Sequence, residues 1–286
     1  MQLDLKSLYL KKYFQFHLNK LVFLLVYLKL VLLLILITVL APVIAPYNPL
    51  EAVMRDANAA PSAAHLFGTD KLGRDVLSRI LYGASYSLTS VLFLVFLIFV
   101  VGTFLGVIAG YFGGIVDTVI MRFADMMISF PGVILAIAIA GILGGSLVNA
   151  MIAMLCVTWT KYARLSRSMV LKIKKRDFVD AAIVSGGSSA HILWVHILPN
   201  ILPLMVITAA ADIGAMMMEL AGLSFLGFGS QPPTPEWGLM LNEGRQQLQT
   251  APWLMFFPGL AIFLTVVVFN LWGDSLSDVL DPRQED

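Results

Sequence analysis

The sequence is poor in what soluble enzymes are built from. Only 13% of its 286 residues are charged, against about 25% in soluble domains. The single Cys156 excludes an intramolecular disulfide, and its place inside an apolar run reads as a small buried hydrophobe. Four histidines, His17, His65, His191 and His196, offer little to a metal. His191 and His196 are five apart, off a common α-helical face, with no carboxylate at ligand spacing. There is no G-x-x-x-x-G-K-[ST] run to cradle ATP phosphates and no G-x-S-x-G elbow to expose a nucleophile. With 19 Lys and Arg against 18 Asp and Glu, the chain has no bulk attraction for nucleic acid. Catalysis by this chain alone is not expected, nor a metal or cofactor of its own.

What the chain has is apolar length: 59% of its residues are hydrophobic. Six stretches approach the roughly 20 apolar residues that a membrane helix needs, near 22–44, 87–109, 118–143, 146–164, 197–223 and 253–273. The expectation is an all-α integral membrane protein with six spans. The run from Leu21 to Ala45 exceeds the roughly 7 to 15 residues of a signal-peptide core, so it reads as an uncleaved first span. The third span carries Arg122 and Asp125, close enough in sequence to pair, and is interrupted by Pro131-Gly132, where a kink is expected.

Basic residues set the orientation. Lys6, Lys11, Lys12 and Lys20 precede or open the first span, and Lys161, Arg164, Arg167, Lys172, Lys174, Lys175 and Arg176 close or follow the fourth. Six spans then put the N-terminus, the loop after span four and the C-terminus in the cytoplasm. The connections near 45–86 and 224–252 fall outside.

The first outer connection contains HLFGTDKLGRDVLSRILYGASYSL. Leu72, Val76, Leu77, Ile80 and Leu81 recur at helical spacing with Arg74, Asp75, Ser78 and Arg79 elsewhere around the axis, which predicts an extracytoplasmic amphipathic helix capped by Thr69 or Asp70. It would lie on the membrane surface or against a partner, and a plain connecting helix fits the pattern equally. The second connection, LSFLGFGSQPPTPEWG, has prolines at 232, 233 and 235 and glycines at 227, 229 and 238, enough to stop helices and build a fixed loop. Gating and simple joining are both open to it.

Inside the spans, Asp212 and Glu219 are seven apart on one face of the fifth helix and should point into the protein, with Met216 beside them. A stripe lining a solute route and a structural hydrogen-bonding stripe are both compatible. Met216, Met217 and Met218 read as gap-fillers rather than metal ligands. Asn270 and Asp274 in the last span read as a cap or interface pair.

The loop between spans four and five ends in DFVDAAIVSGGSSAHILWVHILPN. A short helix from about Asp177, stopped near Gly186, would present small residues that another surface can approach closely, and Pro199 would open the next span. A docking element for a soluble partner is one reading, and a loop binding anionic lipid is the other.

The segment resembles the cytoplasmic signature of ATP-binding-cassette importer permeases: E-A-A, three residues, G, nine residues, I, one residue, L-P. Here it reads Asp180-Ala181-Ala182, Gly186, His196, Leu198 and Pro199, with Asp for Glu and His for Ile. GTDKLGRDVLSR, with Gly68, Thr69, Asp70, Gly73, Arg74, Asp75, Ser78 and Arg79, resembles the N-terminal signature of the second permease subunit of dipeptide, oligopeptide and nickel importers. LSFLGFGSQPPTPEWG and the closing LDPR, Leu280 to Arg283, are similar to that subunit too.

The resemblance implies a multi-pass subunit of the bacterial cytoplasmic membrane, with an N-terminal part over 1–64 and a transporter domain over 65–286 whose coupling loop spans about 165–196. It implies a heterodimer with a homologous permease, two ATPase subunits below that bind the ATP and Mg, and an extracytoplasmic solute-binding protein above. The loop helix, through Asp180, Ala181, Ala182 and Gly186, would sit in a groove of the ATPase. DIGAMMMELAGLSFLG, from Asp212 to Gly227, looks more like the nickel branch than the peptide branch, so nickel or a metal chelate is the expected solute, with di- or oligopeptides as the alternative. A proton-coupled secondary transporter using Asp212 and Glu219 is a rival that six spans without an inverted repeat disfavour.

Overall fold

A computed structural model describes residues 2–280. Asp281, Pro282 and Arg283 of the closing LDPR lie outside the described residues, as do the side chains of Lys6, Lys11 and Lys12. The described chain is helical, in the order α1 (Gln2–Ile44), α2 (Val76–Phe112), α3 (Gly114–Ile128), α4 (Gly132–Leu143), α5 (Leu147–Ile173), α6 (Asp177–Val184), α7 (Ser189–His191), α8 (Leu198–Phe225), α9 (Trp237–Gly244) and α10 (Trp253–Leu280).

Among the described residues, four helical stretches are long and apolar enough to cross a membrane: Lys20–Ile44, Val76–Phe112, Ser189–Phe225 and Trp253–Val279. The pair α3 and α4 makes a fifth if taken as one broken span. Proline and its constraint on the preceding residue end α3, and the two halves meet at 92°, far beyond the kink expected at Pro131. The 27-residue α5 has the length of a span but carries Lys161, Arg164 and Arg167 in its second half.

The core lies where α2, α5 and α8 meet, with Leu94, Ile98, Met154, Ile201 and Met205 buried there. Helix α2 packs closest on α5, because Gly102, Gly106 and Gly110 recur every fourth residue along the contact. A Cβ on Gly102 would stand 2.5 Å from Cβ of Tyr162, and one on Gly106 would overlap Ser166 and the Ala163 carbonyl. Such small-residue stripes let backbones approach, which is how helices associate in lipid where the hydrophobic effect between them is absent. Helix α10 packs on α8 and α1, while over residues 20–44 α1 leaves most of its apolar side chains exposed.

Three expectations about the fold change. The amphipathic helix is not a separate surface element, since residues 76–86 are the opening turns of the continuous α2. Its polar residues are satisfied by other parts of the protein, so they need no membrane surface. The cap is Asp75, which accepts from the Ser78 N–H at 2.8 Å, not Thr69 or Asp70. Cys156 is exposed on α5, not buried.

Candidate functional site

Three groups of residues stand out, spaced from one end of the helical bundle to the other. At the end holding the 46–75 connection and α9, the sequence from Gly68 to Arg79 ties a knot of buried charge. Asp70 accepts from the backbone N–H of Leu72 and Arg74 at 2.9 and 3.0 Å, and pairs with Arg74 Nε at 2.6 Å and with Arg79. Both arginines also reach Glu243 of α9, at 3.2 and 2.8 Å. Charges this deeply buried are tolerated only when each has a partner. Asp75 takes the Ser78 hydroxyl at 2.8 Å and His65 Nδ1 at 2.9 Å, and Ser78 in turn accepts the Tyr47 N–H. Thr69 donates to the Asp56 carbonyl and accepts the Ala59 N–H. Gly73, at φ +73°, fits because a Cβ there would overlap the Val53 carbonyl oxygen.

The proline-rich loop locks onto this knot. Glu236 caps α9 by accepting from the N–H of Gly238 and Leu239 at 2.8 and 2.9 Å, and the Ser87 hydroxyl donates to it at 3.3 Å. Burial pushes its carboxyl above the ordinary carboxylate range, and those hydrogen bonds pull it back only in part. Trp237 donates from its ring to the Ile80 carbonyl at 2.9 Å. Sequence reasoning missed Glu236 and Glu243. Glu is not among the favoured capping residues, so Glu236 gave no cap signal, and nothing near Glu243 in the chain points to two arginines 164 and 169 residues away.

Midway along the bundle, α5 presents a basic strip. Lys161 meets both oxygens of Asp212 on α8 at 2.6 and 2.8 Å, and the Tyr162 hydroxyl donates to Asp212 at 2.9 Å. Arg164 pairs with Asp125 at 2.5 Å, and Arg167 with Asp117. Asp125 therefore pairs across to α5 and not with Arg122 as expected, since α3 lies against α5. Asp212 does turn inward, but Glu219 is exposed. Met216 is buried in the core, and Met218 is the methionine that faces out.

At the far end, the short helix expected near Asp177 forms as α6 and stops where Gly186 adopts φ +81°. Val179 is buried, while Asp180 and Ala181 are exposed and Ala182 half-buried. Lys174 fastens the preceding stem by donating to the Tyr111 carbonyl at 2.7 Å. Ile192–Ile197 is π-helical and runs directly into α8 at Leu198 and Pro199. Its i→i+5 bonding brings residues five apart to one side, so the rings of His191 and His196 lie 5.7 Å apart, contrary to the α-helical expectation. Among the described residues, no three His, Cys, Asp or Glu side chains gather where they could hold a metal. Around α6 the side chains of Ile183, Val184, Trp194 and Val195 are exposed, Val184 at 88% and Trp194 at 69%.

Residues 102–286 match the family described as binding-protein-dependent transport system inner membrane component. The chain is 47% identical to the dipeptide transport system permease protein DppC of Alkalihalophilus pseudofirmus over 79% of this chain and 74% of that protein. It is 42% identical to the nickel transport system permease protein NikC of Escherichia coli K12, over 83% and 86%. Among solved structures, a chain of the inward-facing MetNI methionine ABC transporter superposes with a TM-score of 0.57 at 18% identity, covering 71% of this chain and 97% of that one. That likeness extends to the fold.

Proposed function

The chain belongs to the family of binding-protein-dependent transport system inner membrane components, as an ABC importer permease of the dipeptide, oligopeptide and nickel group, and on that premise we propose how it works. It spans the membrane six times, with α3 and α4 as one broken span and α5 as another, and both termini lie in the cytoplasm. The seven Lys and Arg from Lys161 to Arg176 support that orientation. Residues 65–286 form the transporter domain. The chain pairs with a homologous permease, receives solute from an extracytoplasmic binding protein on the knot side, and sits on two ATPase subunits that bind the ATP and Mg.

The observation that carries this reading is the α6 end. Ile183 and Val184 of α6 and Trp194 of the π-helical stretch beside it are exposed; the proposed topology puts them in the cytoplasm, where such apolar patches mark protein interaction sites. Asp180, Ala181, Ala182 and Gly186 form the contact with the ATPase. His196, Leu198 and Pro199 join that contact to α8, so a push on α6 reaches the span that bears Asp212, Met216 and Glu219. The fused π-helical and α-helical stretch supports this as a continuous lever. Disulfide cross-linking of Ala181→Cys to cysteines in the ATPase groove tests the contact; cross-links that form and vary with ATP are expected, and their absence from an assembled complex refutes it.

For the solute we propose nickel or a nickel chelate, on the Asp212–Gly227 run. The higher identity to the dipeptide permease favours a second reading, di- or oligopeptides. Competition between nickel and a dipeptide for uptake by cells expressing the whole importer decides between them.

A further inference from the structure

Lys161 sits near the middle of α5 and leaves 55% of its side chain exposed. In the six-span reading Lys161 lies toward the cytoplasmic end of that span, and an exposed ammonium there faces a water-filled route, the interface or another protein surface. It has three donors, of which two positions are taken by the oxygens of Asp212 at 2.6 and 2.8 Å. Asp212 backs it from inside, with 13% of its side chain exposed, and is independently held by the Tyr162 hydroxyl. The pair can therefore open toward a solute without stranding a bare carboxylate, which is the costly outcome for a buried ion pair. Two turns along the same face of α8, Glu219 is exposed and within Coulombic range of both Lys161 and Asp212. The pairs Arg164–Asp125 and Arg167–Asp117 continue the charged strip toward α6, with 46% and 34% of the two arginine side chains exposed.

We propose that Lys161 and Glu219 form a solute-contacting station for molecules that carry both a carboxylate and a cationic centre. Lys161 takes the carboxylate in exchange for Asp212, and Glu219 takes the cation. This rests on the reading of the chain as an importer permease and gives that reading a solute chemistry. A zwitterionic peptide and a carboxylate-bound metal share it.

The test uses the assembled importer in liposomes with its binding protein, and three probes: alanylalanine, its C-terminal amide, and nickel bis-histidine. Lys161→Met is expected to raise the KM for the imported carboxylate probe about tenfold and to close the preference for the acid over its amide. Lys161→Arg restores both, and Glu219→Gln raises the KM without altering the preference for acid over amide. Import of alanylalanine assigns the source as a peptide, and import of nickel bis-histidine assigns it as a chelate. In the same vesicles, Lys161→Cys in a Cys156→Ala background is expected to react with a membrane-impermeant thiosulfonate. Lys161→Met kinetics like wild type, or a cysteine at 161 that no aqueous reagent reaches, overturns the station. Wild-type vesicles that import neither carboxylate probe on ATP overturn the proposed solute chemistry instead, and the labelling still decides whether the station is wetted.

Discussion

The Gly68–Arg79 knot and the α6 segment are both built from glycine, small residues and charge, and they use them in opposite ways. In the knot the charges of Asp70, Arg74, Asp75 and Arg79 are turned inward and answered, Asp70 by Arg74 and Arg79, both arginines by Glu243, and Asp75 by Ser78 and His65, while Lys71 stays at the surface. At α6 the charges and several apolar side chains point outward with little from the chain itself over them. A region that satisfies itself is rigid and resists substitution, while one that does not is completed by something else. The contrast separates a structural clamp from a docking surface within one polypeptide.

The strongest way to break the comparison is to unanswer the knot. Asp70→Ala leaves two buried guanidinium groups short of a partner and should cost about 3–5 kcal/mol, read as a large drop in thermal unfolding temperature of the purified permease in detergent. A small drop would mean that the knot is not the clamp. Gly73→Val belongs with it, because the side chain meets the Val53 carbonyl at a positive φ; little folded permease should reach the membrane.

Gly186→Val tests the other side. Its positive φ strains any other residue by on the order of 1–3 kcal/mol, but the site is open, with nothing near a Cβ. The permease should still fold, and co-purification of the ATPases should fall. A variant that unfolds like Gly73→Val would erase the distinction between the two regions.

Glu236 sharpens the comparison by pH. Its folded carboxyl titrates above the ordinary 4.5 because burial outweighs its hydrogen bonds. The folded state then holds the proton more tightly than the unfolded one, so this contribution to stability is present below the ordinary value and is lost as pH rises through the raised one. Unfolding temperature measured across that range should decline in wild type relative to Glu236→Gln, and parallel curves would remove Glu236 from the clamp. The smallest effect belongs to Asp125→Asn, whose pair with Arg164 is about half exposed on both sides; less than about 1 kcal/mol is expected, and a larger loss would place that pair in a dry environment.

Much of this protein was legible in its sequence. Apolar runs located the long helices, Pro131-Gly132 located the break between α3 and α4, and the small-residue run before Gly186 located α6. The Gly102, Gly106, Gly110 stripe was not read, although its every-fourth spacing is a legible small-residue pattern. What misled was reading locally. Leu72 to Leu81 was read as a separate amphipathic helix because its apolar residues recur at helical spacing, and Arg122 was given Asp125 because they were near in sequence. His191 and His196 were separated by assuming an α-helical period where the chain is π-helical.

The sequence by itself determined the class of protein, its helical stretches and the family signatures, because hydropathy and periodicity are properties of consecutive residues. Only the tertiary structure decided which charge answers which. Arg74 finds Glu243 across 169 residues, Lys161 finds Asp212 across 51, and Arg164 finds Asp125 across 39. Such pairs arise where packed helices bring side chains together; for the buried Arg74–Glu243 pair the cost of leaving a charge without a partner selects the arrangement, while the half-exposed Arg164–Asp125 pair follows from the packing.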